Sequence, residues 1–213
     1  MLIFLGCLLF TIVMHELGHM ISALICGVRV EAFSIGFGKP YLHKKIKGID
    51  FRLTPWLIGG YCQLGGEEDN TDPEGFLVQK YSKKALILIS GVTVNFLIAF
   101  LCYLINYNSI RIGLYIDFMS IGAMFSGDYS SLLRLVIGNS PNLFLWQLSL
   151  INIFCALSNL LPIPALDGGW LWMALMEKPL GKNFLNFLRR VNFLFFITLM
   201  YLQFILLIFI YVR

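Results

Sequence analysis

Charge is what this sequence has least of. Only 13% of its 213 residues are Asp, Glu, Lys or Arg, about half the roughly 25% of ordinary soluble domains. With 58% hydrophobic residues and a mean hydropathy of +0.79, this excludes a water-soluble globule and implies an integral membrane protein. C-x-x-C spacing is also absent. Cys7, Cys26, Cys62, Cys102 and Cys155 stand apart, four of them in or at the ends of apolar runs. That excludes a disulfide or zinc-finger framework and leaves small buried apolar residues; only Cys62, in a polar loop, could stand near a site. No Lys or Arg precedes the first apolar run, as a cleaved signal peptide would require, so the run is expected to stay in place. The net charge of +4 does not point to nucleic acid, because in a membrane protein the position of the basic residues is what matters.

What is present begins with that first run, Leu2 to Cys26. It is long enough to cross a bilayer, yet it contains His15-Glu16-Leu17-Gly18-His19. A carboxylate at mid-helix costs roughly 2.5–3.5 kcal/mol unless it is neutralised, hydrated or paired. On a helix, positions i and i+4 share a face, so both imidazoles can reach one metal ion with Glu16 beside them. This is the H-E-x-x-H pattern in which two histidines bind zinc and the glutamate is general base. The alternatives are a chance match or histidines satisfied inside a helix bundle.

Further along, the period of the pattern changes. Strands are expected over Val30–Phe37, about Tyr41–Ile46 and Ile49–Thr54, the last two joined by a turn at Lys47-Gly48. Pro55-Trp56-Leu57-Ile58-Gly59-Gly60-Tyr61 is apolar, too short to span and marked by proline and two glycines; it reads as a re-entrant or interfacial loop. Gly65–Gly75 reads as an acidic surface loop. A second span is expected over Ala85–Asn106, where Gly91 to Asn95 sets small and polar residues at a close helix contact. Asn95 is either helix-packing glue or a group that supports the site. Ile112–Phe125, interrupted by Asp117, reads as interfacial or lying against the bundle. A third span over Asn142–Leu161 leads into Pro162-Ile163-Pro164-Ala165-Leu166-Asp167-Gly168-Gly169, and a last span covers Val191–Val212.

Basic residues number nine between the first and second spans, two between the second and third, four between the third and fourth, and one after the fourth. Positive-inside bias then predicts four spans with both termini outside the cytoplasm. In that orientation His15 and His19 lie roughly 18–24 Å along the first helix from its outer end, and the third span delivers Asp167 to the same side. Two histidines and one carboxylate leave a fourth zinc position open, the catalytic arrangement. Taken alone, Asp167 is equally a capping residue or a solvated turn aspartate.

His15-Glu16-x-x-His19, Pro55-x-x-x-Gly59-Gly60-Tyr61, Gly91-x-x-x-Asn95 and Asn159-Leu-Leu-Pro-Ile-Pro-Ala-Leu-Asp167-Gly-Gly, in this order, resemble the site-2 protease family of intramembrane zinc metalloproteases. The resemblance covers about Met1 to Trp170. It implies an α-helical integral membrane protein with one metalloprotease domain over residues 1–213, about four transmembrane helices and a small membrane-associated β-hairpin or re-entrant region after the first. It also implies one Zn2+ per chain held by His15, His19 and Asp167, with Glu16 activating water and Asn159 near the substrate. The implied reaction is regulated intramembrane proteolysis of a single-pass membrane protein, such as an anti-sigma factor, in a bacterial inner membrane. Two features depart from relatives: Gly91-Val92 stands where Gly-Pro is frequent, and about Tyr107 to Pro141 is too short for a PDZ domain. Because a helical substrate hides its peptide bonds, strands 30–54 and the loop with Gly59 and Gly60 are expected to grip it in extended form, with Asn95 a further substrate-side candidate. The competing reading is a non-enzymatic zinc carrier or sensor; a third is an inactive scaffold.

Overall fold

The apolar runs fold as helices and the period-two segments as one small sheet. A computed structural model describes residues 2–66, 72–126, 128, 130, 142–163, 166–176 and 191. Helix α1 spans Leu2–Ile25. Gly27, at φ 72°, ends it: Val28 N–H bonds the Ala23 carbonyl and Gly27 N–H that of Leu24, a Schellman closure that a residue with a Cβ adopts at a cost. Lys83, from the start of the next helix, donates to the Cys26 carbonyl at 2.7 Å and satisfies one more terminal acceptor.

Helices α2 (Tyr81–Tyr107), α3 (Ile110–Ser126) and α4 (Leu143–Asn159) follow, and α2 packs along both α1 and α4. The Asn142 side chain caps α4 by accepting from the Phe144 and Leu145 N–H groups. Among the described residues, Ile3–Ile25 and Tyr81–Tyr107 are long and apolar enough to cross a bilayer, and α4 is a shorter apolar helix. The expected last span lies outside the described residues apart from Val191. Ile112–Phe125 belongs to α3, which lies against the bundle: Asp117 turns inward to the Tyr103 hydroxyl at 2.8 Å, so the interruption in the apolar run is a buried contact.

The sheet has the order β2-β3-β1-β4, with β1 Val30–Phe37, β2 Leu42–Ile46, β3 Ile49–Leu53 and β4 Trp56–Leu64. The β2–β3 turn is at Lys47-Gly48, both with positive φ, as a tight hairpin requires. The loop expected at Pro55–Tyr61 is corrected by β4, which pairs antiparallel with β1 from Leu64 to Trp56. The two glycines mislead because they resemble loop residues. Here they permit close packing: a Cβ on Gly60 would lie 2.9 Å from the Ser34 carbonyl oxygen, and one on Gly59 would collide with the Phe37 ring. Pairing with β1 satisfies the backbone groups along one edge of β4. Arg52 ties β3 to β4 by donating to Tyr61 at 3.0 Å, and its hydrogen bond to Asp50 holds that carboxyl below its ordinary pKa.

The sheet lies on α1. Phe33 and Val30 from β1, Ile49 from β3 and Leu64 from β4 form one buried cluster with Met20 and Ala23 of α1 and Ile87 and Leu88 of α2. A second contact, Cys7, Cys102, Leu148 and Ile151, joins α1, α2 and α4, and Asn152 adds a hydrogen bond to Thr11 at 2.9 Å. None of the five cysteines is in a disulfide.

Candidate active site

The spacing of His15 and His19 puts them on one face of α1, and α2 determines what that face meets. Gly18 and Gly91 bring the two helices together: a Cβ on Gly18 would lie 2.9 Å from the Ser90 carbonyl oxygen. One on Gly91 would lie 2.5 Å from His19 Nε2 and 2.8 Å from His15 Cε1. The close contact expected around Gly91 is therefore the floor of the site.

Asp167 arrives from 152 residues away. A helical stretch over 167–176 follows α4, and Gly168 packs directly on the Leu160 and Leu161 carbonyl oxygens. No larger residue fits there, so the Gly that follows Asp167 closes the turn. Asp167 Oδ2 lies 2.9 Å from His15 Nε2 and 3.2 Å from His19 Nε2, and the two Nε2 atoms are 3.1 Å apart. Both histidines are buried.

The donor set fits a metal ion on chemical grounds. His19 Nδ1 is 2.8 Å from the Ile87 carbonyl oxygen, which can only accept, so Nδ1 carries the ring proton and Nε2 of the neutral ring presents a lone pair. In the neutral ring that lone pair faces the Asp167 carboxylate, and a cation between the two acceptors, a proton on Nε2 or a metal ion, satisfies both. Tetrahedral zinc, with bonds of about 2.0–2.1 Å, sets its ligand atoms about 3.3 Å apart, close to the spacing of these three. Among the described residues this is the one group of His, Cys, Asp and Glu close enough to hold a metal.

Glu16 stands beside the triad. Its carboxylate accepts a hydrogen bond from the Cys62 backbone N–H, and a Cβ on Gly60 would lie 3.5 Å from its Cγ. Edge strand β4 therefore passes the carboxylate directly. Asn95 is fully buried, with its side-chain amide 3.1 Å from His15 Nδ1. Gly59 packs on the Phe37 ring. Asn159, the last residue of α4, turns back on its own helix and donates to the Cys155 carbonyl at 3.1 Å. Two contributors have no side-chain signal in the sequence, the Ile87 carbonyl and the Cys62 N–H, because any residue supplies those groups.

The chain is similar to known proteins. A protein of Campylobacter jejuni is 40% identical over 105 residues, covering 46% of this chain and 28% of its own. One from Helicobacter pylori (strain 26695) is 43% identical over 102 residues, covering 45% and 29%. One from Borreliella burgdorferi is 33% identical over 145 residues, covering 63% and 30%. Each is named a "putative zinc metalloprotease"; the chain spans less than a third of the length of these relatives. The model of peptidase family M50 matches residues 3–199. That match runs from the helix of His15 and His19 through the turn that returns Asp167, and the protein belongs to peptidase family M50, the site-2 proteases.

Proposed function

We propose that this protein is a zinc metalloendopeptidase that cleaves a peptide bond in or near the transmembrane segment of a membrane-anchored protein. The observation that carries the reading is the convergence of His15, His19 and Asp167 at 2.9–3.2 Å, with Glu16 held beside them and not among them. His15 and His19 supply ring nitrogens and Asp167 a carboxylate oxygen, leaving a fourth position for water. Zinc bound there supplies a Lewis acid for the scissile carbonyl and lowers the pKa of its water. Glu16 takes the proton of the attacking water on its carboxylate and returns it to the leaving nitrogen. The Cys62 N–H holds that carboxylate in place while it does so.

The substrate enters extended along the outer edge of β4, the terminal strand of the sheet, and gains backbone hydrogen bonds by strand addition. Gly59 and Gly60 carry no side chain to crowd an incoming strand, and Asn159 reaches the substrate by giving up its bond to Cys155. The natural substrate is a single-pass membrane protein, such as an anti-sigma factor, released by regulated proteolysis at a bacterial inner membrane. The distribution of Lys and Arg supports a four-span topology with both termini outside the cytoplasm.

The test measures zinc per chain and cleavage of a single-pass membrane substrate by the detergent-purified protein and by Glu16→Gln. The proposal expects about one zinc in both and a fall in cleavage of about 10²–10⁴-fold in the variant. Loss of zinc from Glu16→Gln would make Glu16 a ligand and favour a carrier or sensor.

A further inference from the structure

Helix α2 faces the two histidines with three positions one turn apart: Ile87, Gly91 and Asn95. Gly91 touches both rings; Ile87 meets His19 through its carbonyl and Asn95 meets His15 through its side chain. The Ile87 carbonyl allows only one tautomer of His19, so the equivalent question falls on Asn95. An Asn amide can present either its NH2 or its oxygen by a half-turn about χ2, and the hydrogen-bond network decides between them.

With the NH2 toward His15, Nδ1 is an acceptor and Nε2 carries the proton; Asn95 Oδ1 is then buried with no partner among the described residues. An orphaned buried carbonyl costs about 1–3 kcal/mol. The half-turn removes it: Oδ1 accepts from the His15 Nδ1–H, and Nε2 is left as a lone pair beside Asp167. The Cys155 thiol is also within hydrogen-bond reach of this amide. One turn before Cys155, Asn152 Oδ1 is a second buried acceptor without a partner among the described residues.

We infer that Asn95 is a positioning residue that accepts the His15 Nδ1 proton through Oδ1, locking both ring nitrogens that face Asp167 as metal-binding lone pairs. This rests on the zinc reading above. It assigns Asn95 to holding a ligand and removes it from the substrate side. Ligand-orienting partners of this kind are commonly worth 10–100-fold in metal affinity.

The test is Zn2+ affinity of the full chain in detergent by chelator competition, with thermal unfolding of the chelator-treated protein as a control on packing. Two variants separate the roles. Asn95→Leu keeps the volume and removes the acceptor; Asn95→Asp can accept from Nδ1–H but cannot donate to it. Asn95→Leu is expected to bind zinc about 10–100-fold more weakly, and Asn95→Asp at least as tightly as wild type. If Asn95→Leu does not fold, Asn95→Asp decides alone, since weak binding there overturns the proposal. Unchanged affinity in Asn95→Leu also overturns it while leaving the metalloprotease reading intact. A wild-type chain that binds no zinc overturns both.

Discussion

Asp117 is buried and Asp167 partly buried in this helical membrane protein, and the two carboxylates are satisfied differently. Asp117 of α3 is 1% exposed and receives the Tyr103 hydroxyl at 2.8 Å and the Ser149 hydroxyl at 3.5 Å. Tyr103 donates its hydroxyl proton to Asp117, and the Ser149 hydroxyl, shared with the Trp146 carbonyl at 2.9 Å, lies against the other oxygen, so the cluster ties α3 to α2 and α4. Asp167 meets two imidazoles, and the Ile87 carbonyl holds the Nδ1 proton of one of them, so that its neutral ring presents a lone pair at Nε2. Acceptors facing acceptors remain open to a cation. Burial of an ionisable group in an apolar protein therefore does not by itself identify a reactive site; the balance of donors and acceptors around it does.

The strongest way to break this comparison is to delete one member of the open cluster. His19→Ala and Asp167→Ala should each lower zinc from about one per chain to near none, read by elemental analysis of the purified protein. Full zinc retention in Asp167→Ala would remove the third ligand and make the two carboxylates alike.

Paired glycine substitutions sharpen the contrast. Gly91 is the contact point for both imidazoles, and Gly113 of α3 packs directly on the Tyr103 ring. Gly91→Ala should expel zinc and abolish cleavage. Gly113→Ala should cost about 1–3 kcal/mol of stability through overpacking with zinc content unchanged, measured by thermal unfolding alongside metal analysis.

The smallest effect is expected at Asp117 itself. Asp117→Asn keeps an acceptor for the Tyr103 hydroxyl, so stability should change by no more than about 1 kcal/mol, with cleavage and zinc as in wild type. Loss of zinc in this variant would make the two clusters one network.

Much of this was legible beforehand. The i, i+4 histidines, the helices over most of the expected ranges, the Lys47-Gly48 turn and the close contact at Gly91 all follow from local pattern. The strand β4 was not legible, because Pro55, Gly59 and Gly60 carry loop chemistry and only pairing with β1 makes them a strand. Asn95 stayed divided between packing and support of the site for a similar reason: an Asn on a helix face takes its meaning from what lies opposite.

Sequence alone determined that His15 and His19 share a face with Glu16 beside them, because helical periodicity fixes neighbours within one element. Only the tertiary structure placed the Ile87 carbonyl and the Asn95 amide against those histidines, the Cys62 N–H on Glu16, and Asp167 beside both imidazoles. Those contacts cross from one element to another, and their geometry depends on how closely the glycines let backbones approach.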